Sequence, residues 1–212
     1  MFKDGLVLKS ITSNLFVATG LINLIYCIKN KINLKFPIWM IIALISAMLG
    51  DISLEFNFYL GTAVFAVGHI FYFVSYCMLG KINPRDLLCG SIISIIAISI
   101  ILFTPFLDFG STLMLGVCCV YALIISFMVG KAISNLLKDK NSTNITIVIG
   151  SILFFISDFM LMLDMFGNIT GTNYLCLGTY YPGQFVLALS LFIYASTNDS
   201  RENKDIILSK VA

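Results

Sequence analysis

The chain has 212 residues, of which 59% are hydrophobic and only 11% charged, with a mean hydropathy of +0.98 and a formal net charge of +2. A soluble domain carries about 25% charged residues, so the composition excludes a soluble globular fold and points to an integral membrane protein. The small net charge, with no basic cluster interleaved with aromatics, excludes nucleic acid as a partner.

The apolar runs are long enough to cross a bilayer as helices, which takes roughly 20 residues. Seven are read in chain order, over residues 10–28, 36–56, 58–79, 86–104, 109–130, 144–166 and 174–195. The first follows a segment carrying Lys3, Asp4 and Lys9, and no Ala-x-Ala-like cleavage site comes after it, so it reads as a retained helix. Pro37 opens the second run, Asn83-Pro84 precedes the fourth, and Pro105 ends it. The fold class is all-α, a polytopic membrane helix bundle. Residues 1–197 form a single transmembrane domain, and residues 198–212 a short polar cytoplasmic tail that is expected to fray. Cys27, Cys77, Cys89, Cys118, Cys119 and Cys176 lie in or beside apolar runs and form no Cys-x-x-Cys pair. They read as small buried hydrophobes. No metal site, disulfide framework or cofactor is expected from them.

Seven spans put the two termini on opposite sides. One side then holds Lys29, Lys31, Lys35, Lys81, Arg85, Lys131, Lys138, Lys140, Arg201, Lys204 and Lys210, and the other only Lys3 and Lys9; together these are all 13 basic residues. The positive-inside rule places the N-terminus outside and the C-terminus in the cytoplasm, with the cell membrane as the expected location.

Two acidic residues interrupt this apolar pattern. Asp51 lies in the run Pro37–Phe58 and Asp158 in the run Ile145–Phe166, each after a small residue, Gly50 or Ser157. An unpaired carboxylate in hydrocarbon costs at least ~2.5–3.5 kcal/mol on insertion scales, so a chain that carries two in similar surroundings is expected to use them. Spans two and six run in the same direction. At ~1.5 Å per residue both aspartates fall within roughly 12 Å of the same outer surface, which makes a shared cavity plausible. Glu55 is four residues from Asp51 and shares its helix face. His69 and Tyr72 share a face of span three, with Tyr76 continuing the stripe; Tyr121 sits mid-span in span five; Tyr181 and Gln184 share a face of span seven, where Pro182-Gly183 can loosen the helix. A lone histidine is more often a packing residue than a catalyst. The tyrosines of such a chain mostly pack or anchor at interfaces, and Gln184 can serve simply to bridge two helices. Asp164 lies close enough to the surface to be solvated.

These strings resemble the YhhN-like family of membrane proteins, the lysoplasmalogenases. The likeness rests on Met48-Leu49-Gly50-Asp51, on Val67-Gly68-His69-Ile70-Phe71-Tyr72, on Val120-Tyr121-Ala122-Leu123 with Ser126-Phe127-Met128, and on Gly150 through Asp158. Tyr180-Tyr181-Pro182-Gly183-Gln184 looks like the family's final helix. The pieces stand in family order over most of residues 40–195. The chain departs from the family in reading as seven spans where eight are common, and in lacking an early Lys-Pro.

The resemblance implies hydrolysis of the vinyl-ether bond of a lysoplasmalogen to a fatty aldehyde and a glycerophospho-ethanolamine or -choline. The partners it implies are this lysophospholipid and the surrounding membrane lipids. Vinyl ethers hydrolyse by proton transfer to carbon, an oxocarbenium ion and capture by water. That chemistry suits a protonated carboxyl and a carboxylate, a division of labour related to that of glycosidases. On this reading Asp51 and Asp158 are the acid and carboxylate pair, in an order left open, and Glu55, His69, Tyr72, Tyr121, Tyr181 and Gln184 are candidate orienting or substrate contacts. The main rival is a proton-coupled transporter of a small molecule or lipid that uses the same buried Asp, His and Tyr groups. A seven-span zinc hydrolase needs several histidines where this chain has one. No Gly-x-Ser-x-Gly string supports a serine hydrolase, and no long loop or partner-binding domain supports a scaffold.

Overall fold

The structure, a computed structural model, describes the backbone of residues 2–167 and 169–211, and side chains over 7–167 and 169–198. Among the described residues it is all-helical. The helices are α1 (Phe2–Lys29), α2 (Lys35–Phe56), α3 (Phe58–Leu79), α4 (Pro84–Phe103), α5 (Thr112–Lys138), α6 (Ser142–Gly167) and α7 (Thr172–Val211). Each contains a stretch long and apolar enough to cross a membrane, so the seven-span reading holds.

Local chemistry sets the breaks. Asn57 alone links α2 to α3; its backbone is extended and its side chain accepts a hydrogen bond from Leu60 N at 3.0 Å. Asn83 caps α4 by accepting from Arg85 N at 2.9 Å, while Asp86 returns to Asn83 N at 2.9 Å and Pro84 occupies the first turn. Ser111 caps α5. Gly171, in the turn before α7, has φ +91°, a left-handed value that favours glycine.

Six helices close a ring. α1, α2, α3, α5, α6 and α7 each pack on the next, α7 returns to α1, and α2 also reaches α7. α4 stands outside the ring and, among the described residues, packs on α5 alone. The ring's core is filled by side chains from several helices, including Phe36, Met40 and Leu44 of α2, Tyr72 and Tyr76 of α3, Met128 of α5, Phe154 of α6 and Leu187 and Leu191 of α7. Large apolar side chains such as Ile22, Ile95, Phe103 and Leu113 point outward, as a lipid-facing surface requires. In hydrocarbon, helices associate by close packing rather than by a hydrophobic drive, so small residues sit at their crossings. At the α6–α7 crossing a Cβ on Gly150 would lie 2.7 Å from Leu187 and 3.1 Å from Gly183 O; at the α4–α5 crossing a Cβ on Gly130 would lie 2.4 Å from Gly90 N.

Three expectations are corrected. Pro182-Gly183 does not loosen α7, which stays helical through both residues. α7 also continues past Asn198 into the polar tail as far as Val211. The fifth span does not stop at residue 130, and Lys131 is not a loop charge. It lies inside α5, fully buried, with Nζ 2.8 Å from Asp86 Oδ2 and 3.1 Å from Lys81 O. The ion pair makes burial of this lysine tolerable, and hydropathy, which scores residues singly, cannot register a partner on another helix.

Candidate functional site

Asp158, on α6, is met by side chains from two other helices. Tyr121 of α5 donates its hydroxyl to Asp158 Oδ2 at 2.7 Å. His69 of α3 places Nε2 3.1 Å from the same oxygen and 2.8 Å from the Tyr121 hydroxyl. The three close a triangle. His69 is fully buried, its ring 4.6 Å from that of Phe154, and its Nδ1 has no hydrogen-bond partner among the described residues. Nε2 is therefore the ring nitrogen that works on the carboxyl. Asp158 itself keeps 13% of its side chain exposed.

That exposure faces an apolar cleft enclosing about 720 Å³, its open side included. α3 supplies Thr62 and Phe65, α4 supplies Ala97 and Ile101, and α5 supplies Tyr121 and Ile125 among others; α6 lines the remaining wall around Asp158. The α4–α5 loop lies across the C-terminal end of α6: Asp108 N bonds Phe166 O at 2.9 Å and the Phe109 and Phe166 rings are 4.7 Å apart. The cleft is thus an apolar slot with one carboxyl, one phenol, one threonine hydroxyl and the Cys118 thiol as its polar features.

Asp51, on α2, is held differently. Ser13 of α1 and Tyr180 of α7 both donate to its Oδ2, Tyr180 at 3.0 Å. One turn away, Lys9 of α1 pairs with Glu55 of α2. Residues 9 and 13 thus face 55 and 51 as two rungs of one ladder between antiparallel helices. Asp51 is 7% exposed and does not line the cleft. Between the two carboxyls stands an aromatic wall, in which Phe154 is 5.3 Å from Tyr180 and 6.2 Å from Phe65. Asp51 remains within electrostatic reach of Asp158 and of Lys9.

The other expected contacts divide. His69 and Tyr121 meet Asp158. Glu55 is engaged by Lys9 beside Asp51. Tyr72 donates to Gln184 Oε1 at 2.6 Å, and this buried pair does not line the cleft; Gln184 Nε2 has no partner among the described residues. The buried hydroxyl of Tyr181 has no hydrogen-bond partner among the described residues. Asp164 accepts from Thr172 at 3.1 Å near the α6–α7 turn. Among the described residues no three His, Cys, Asp or Glu side chains gather as a metal-binding set would require.

Sequence reasoning missed Ser13 and Tyr180. Ser13 lies on a buried stripe of α1 formed by Ser13, Phe16, Val17, Gly20, Asn23 and Cys27, whose i, i+3 and i+4 spacing marks the face turned toward the bundle. Tyr180 is four residues before Gln184, as compatible with a shared face as Tyr181 at three, and the packing of α7 selects it for Asp51.

The model of the YhhN family matches residues 8–191, which is most of the chain. Neither a search of curated proteins nor a search of solved structures returns a match. The chain belongs to the YhhN family.

Proposed function

We propose that this YhhN-family membrane protein is a hydrolase that cleaves the vinyl-ether bond of a lysoplasmalogen, releasing a fatty aldehyde and a glycerophospho-ethanolamine or -choline. The observation that carries the reading is Asp158: a carboxyl oriented by Tyr121 and His69 and presented to a slot otherwise lined almost wholly by apolar side chains. The alkenyl chain occupies the slot. The vinyl ether lies against Asp158.

The chemistry closes on one group. Protonated Asp158 gives its proton to the vinyl carbon not bonded to oxygen, and the remaining carbon–oxygen unit becomes an oxocarbenium ion. The Asp158 carboxylate, held through Oδ2 by Tyr121 and His69, lies beside that cation. Water adds to the carbon bonded to oxygen and surrenders a proton to Asp158, which restores the acid. The hemiacetal then breaks to aldehyde and glycerol hydroxyl, with one water consumed overall. Asp51 is the second carboxyl of the site. It acts across the Phe154 and Tyr180 wall as a charge within reach of the oxocarbenium ion rather than as a group in contact with substrate. Dry surroundings strengthen both effects.

The test is aldehyde release from lysoplasmalogen by the protein reconstituted in liposomes. General acid–base catalysis contributes roughly 10²–10⁴-fold, so Asp158→Asn is expected to lose that much with insertion intact, and Asp51→Asn is expected to lose less. The saturated ether analogue, which has no double bond to protonate, should yield no aldehyde. Wild-type turnover by Asp158→Asn, or cleavage of the saturated ether, overturns the mechanism.

A further inference from the structure

A second groove lies on the outside of the ring, between the outer halves of α3 and α5. Tyr59, Thr62 and Ala66 of α3 stand on one wall and Gly116, Val120 and Tyr121 of α5 on the other; about 930 Å³ lies between them, open side included. At their inner ends the same two helices are tied together, with Asn135 Nδ2 bonded to Tyr76 O at 2.9 Å. The groove surface is mostly apolar, and a Cβ on Gly116 would meet nothing within 4 Å.

Two residues, Thr62 and Tyr121, line both this groove and the cleft that holds Asp158. The outer groove and the inner slot are therefore neighbours separated by a threonine and by the phenol that is bonded to the reacting carboxyl. The α4–α5 loop covers one end of the slot through Phe109 and Phe166, and α4 is fastened to α5 by the Gly90–Gly130 contact and the Lys131–Asp86 pair.

We propose that the α3–α5 groove is a lateral binding site and portal for one alkyl chain of a membrane-resident single-chain phospholipid, with Thr62 and Tyr121 as the gate into the Asp158 slot. The occupant is fixed by place and shape. The groove opens on the face the bundle presents to lipid, and it leads to a slot with the same apolar lining. An alkyl chain that leaves the bilayer for this groove exchanges one hydrocarbon-like environment for another, so the groove gains little from hydrophobic transfer. Its role is to seat and guide a chain, and chain selection falls to whether the walls leave room. As a route for the lipid substrate the portal rests on the hydrolase reading; as a lipid-binding groove it does not.

The experiment separates the two. The full-length protein in nanodiscs is exposed to a non-hydrolysable, saturated alkyl-ether lysophospholipid with a diazirine at its chain end, irradiated, and digested for peptide mapping. Labelling is expected in the peptides spanning residues 59–66 and 112–124. Gly116→Trp sets an indole on the groove wall at a position whose Cβ meets no atom within 4 Å and is expected to cut that labelling at least tenfold. Gly178→Trp, made at an exposed glycine of α7 that also has no atom within 4 Å of its Cβ, should leave the labelling unchanged. Equal labelling in wild type and Gly116→Trp, labelling confined to other helices, or no labelling at all overturns the groove. In the aldehyde assay Gly116→Trp should slow long-chain lysoplasmalogen at least tenfold. Correct labelling in a protein that cleaves no vinyl ether leaves the groove standing and defeats the hydrolase reading, whereas a wild-type rate in Gly116→Trp with its labelling lost defeats the portal.

Discussion

Tyr121→Phe removes a single oxygen from the site and tests whether the triangle around Asp158 does chemistry. The ring remains, so the wall shared by groove and slot is kept. The lost hydroxyl donates to Asp158 at 2.7 Å and meets His69 at 2.8 Å, while the 3.1 Å contact of His69 with Asp158 survives. A hydrogen bond to a charged group contributes about 1.5–3 kcal/mol. At about 1.36 kcal/mol per decade of rate, the loss corresponds to roughly a 10- to 150-fold fall in kcat/KM when the carboxylate forms opposite the oxocarbenium ion. The assay is aldehyde release in liposomes over a range of surface concentrations of lysoplasmalogen. Tyr72→Phe is the control. Its hydroxyl serves Gln184 at 2.6 Å, away from the slot, so that variant is expected to lose about 1–3 kcal/mol of stability and to stay within a fewfold of the wild-type rate. A Tyr121→Phe protein with wild-type kcat/KM, or a Tyr72→Phe protein that loses as much activity as Tyr121→Phe, would falsify the assignment of Asp158 as the reacting group.

Two further predictions concern the frame. Lys131→Met leaves Asp86 buried and unpaired, and loss of one partner from such a pair costs about 3–5 kcal/mol; thermal unfolding in detergent should show a lower Tm, largely recovered in Lys131→Met/Asp86→Asn, and a double variant no more stable than the single one would count against the pair. Gly130→Ala drives a Cβ to 2.4 Å from Gly90 N and 2.6 Å from Gly90 Cα, backbone atoms that have nowhere to rotate, so it is expected to cost at least the ~1–3 kcal/mol of ordinary overpacking. Gly116→Ala, made in the same helix in open space, should hold or raise the Tm, and equal effects of the two alanines would remove close α4–α5 packing as the cause.

The spans were legible because their signal is local. A run of about 20 apolar residues needs a helix wherever it sits in a bilayer, and Asn57, Asn83-Pro84-x-Asp86 and Ser111 stop or start helices through bonds within a few residues of themselves. The ends were less legible where a distant partner decides them. Lys131 looks like a boundary until Asp86 is placed 2.8 Å away across the α4–α5 crossing.

For the site, the sequence determined that Asp51, Asp158, His69 and Tyr121 lie in apolar helices, because composition and period fix what a helix carries and on which face. It left Asp51 and Asp158 equivalent. Only the tertiary structure separated them: Ser13 and Tyr180 close Asp51 behind an aromatic wall, and His69 and Tyr121 present Asp158 to the slot. The physical reason is that a periodic pattern specifies a direction around one helix axis, whereas the partner of a buried carboxyl depends on which helices stand beside it and at what height, and that is set by the packing of all seven.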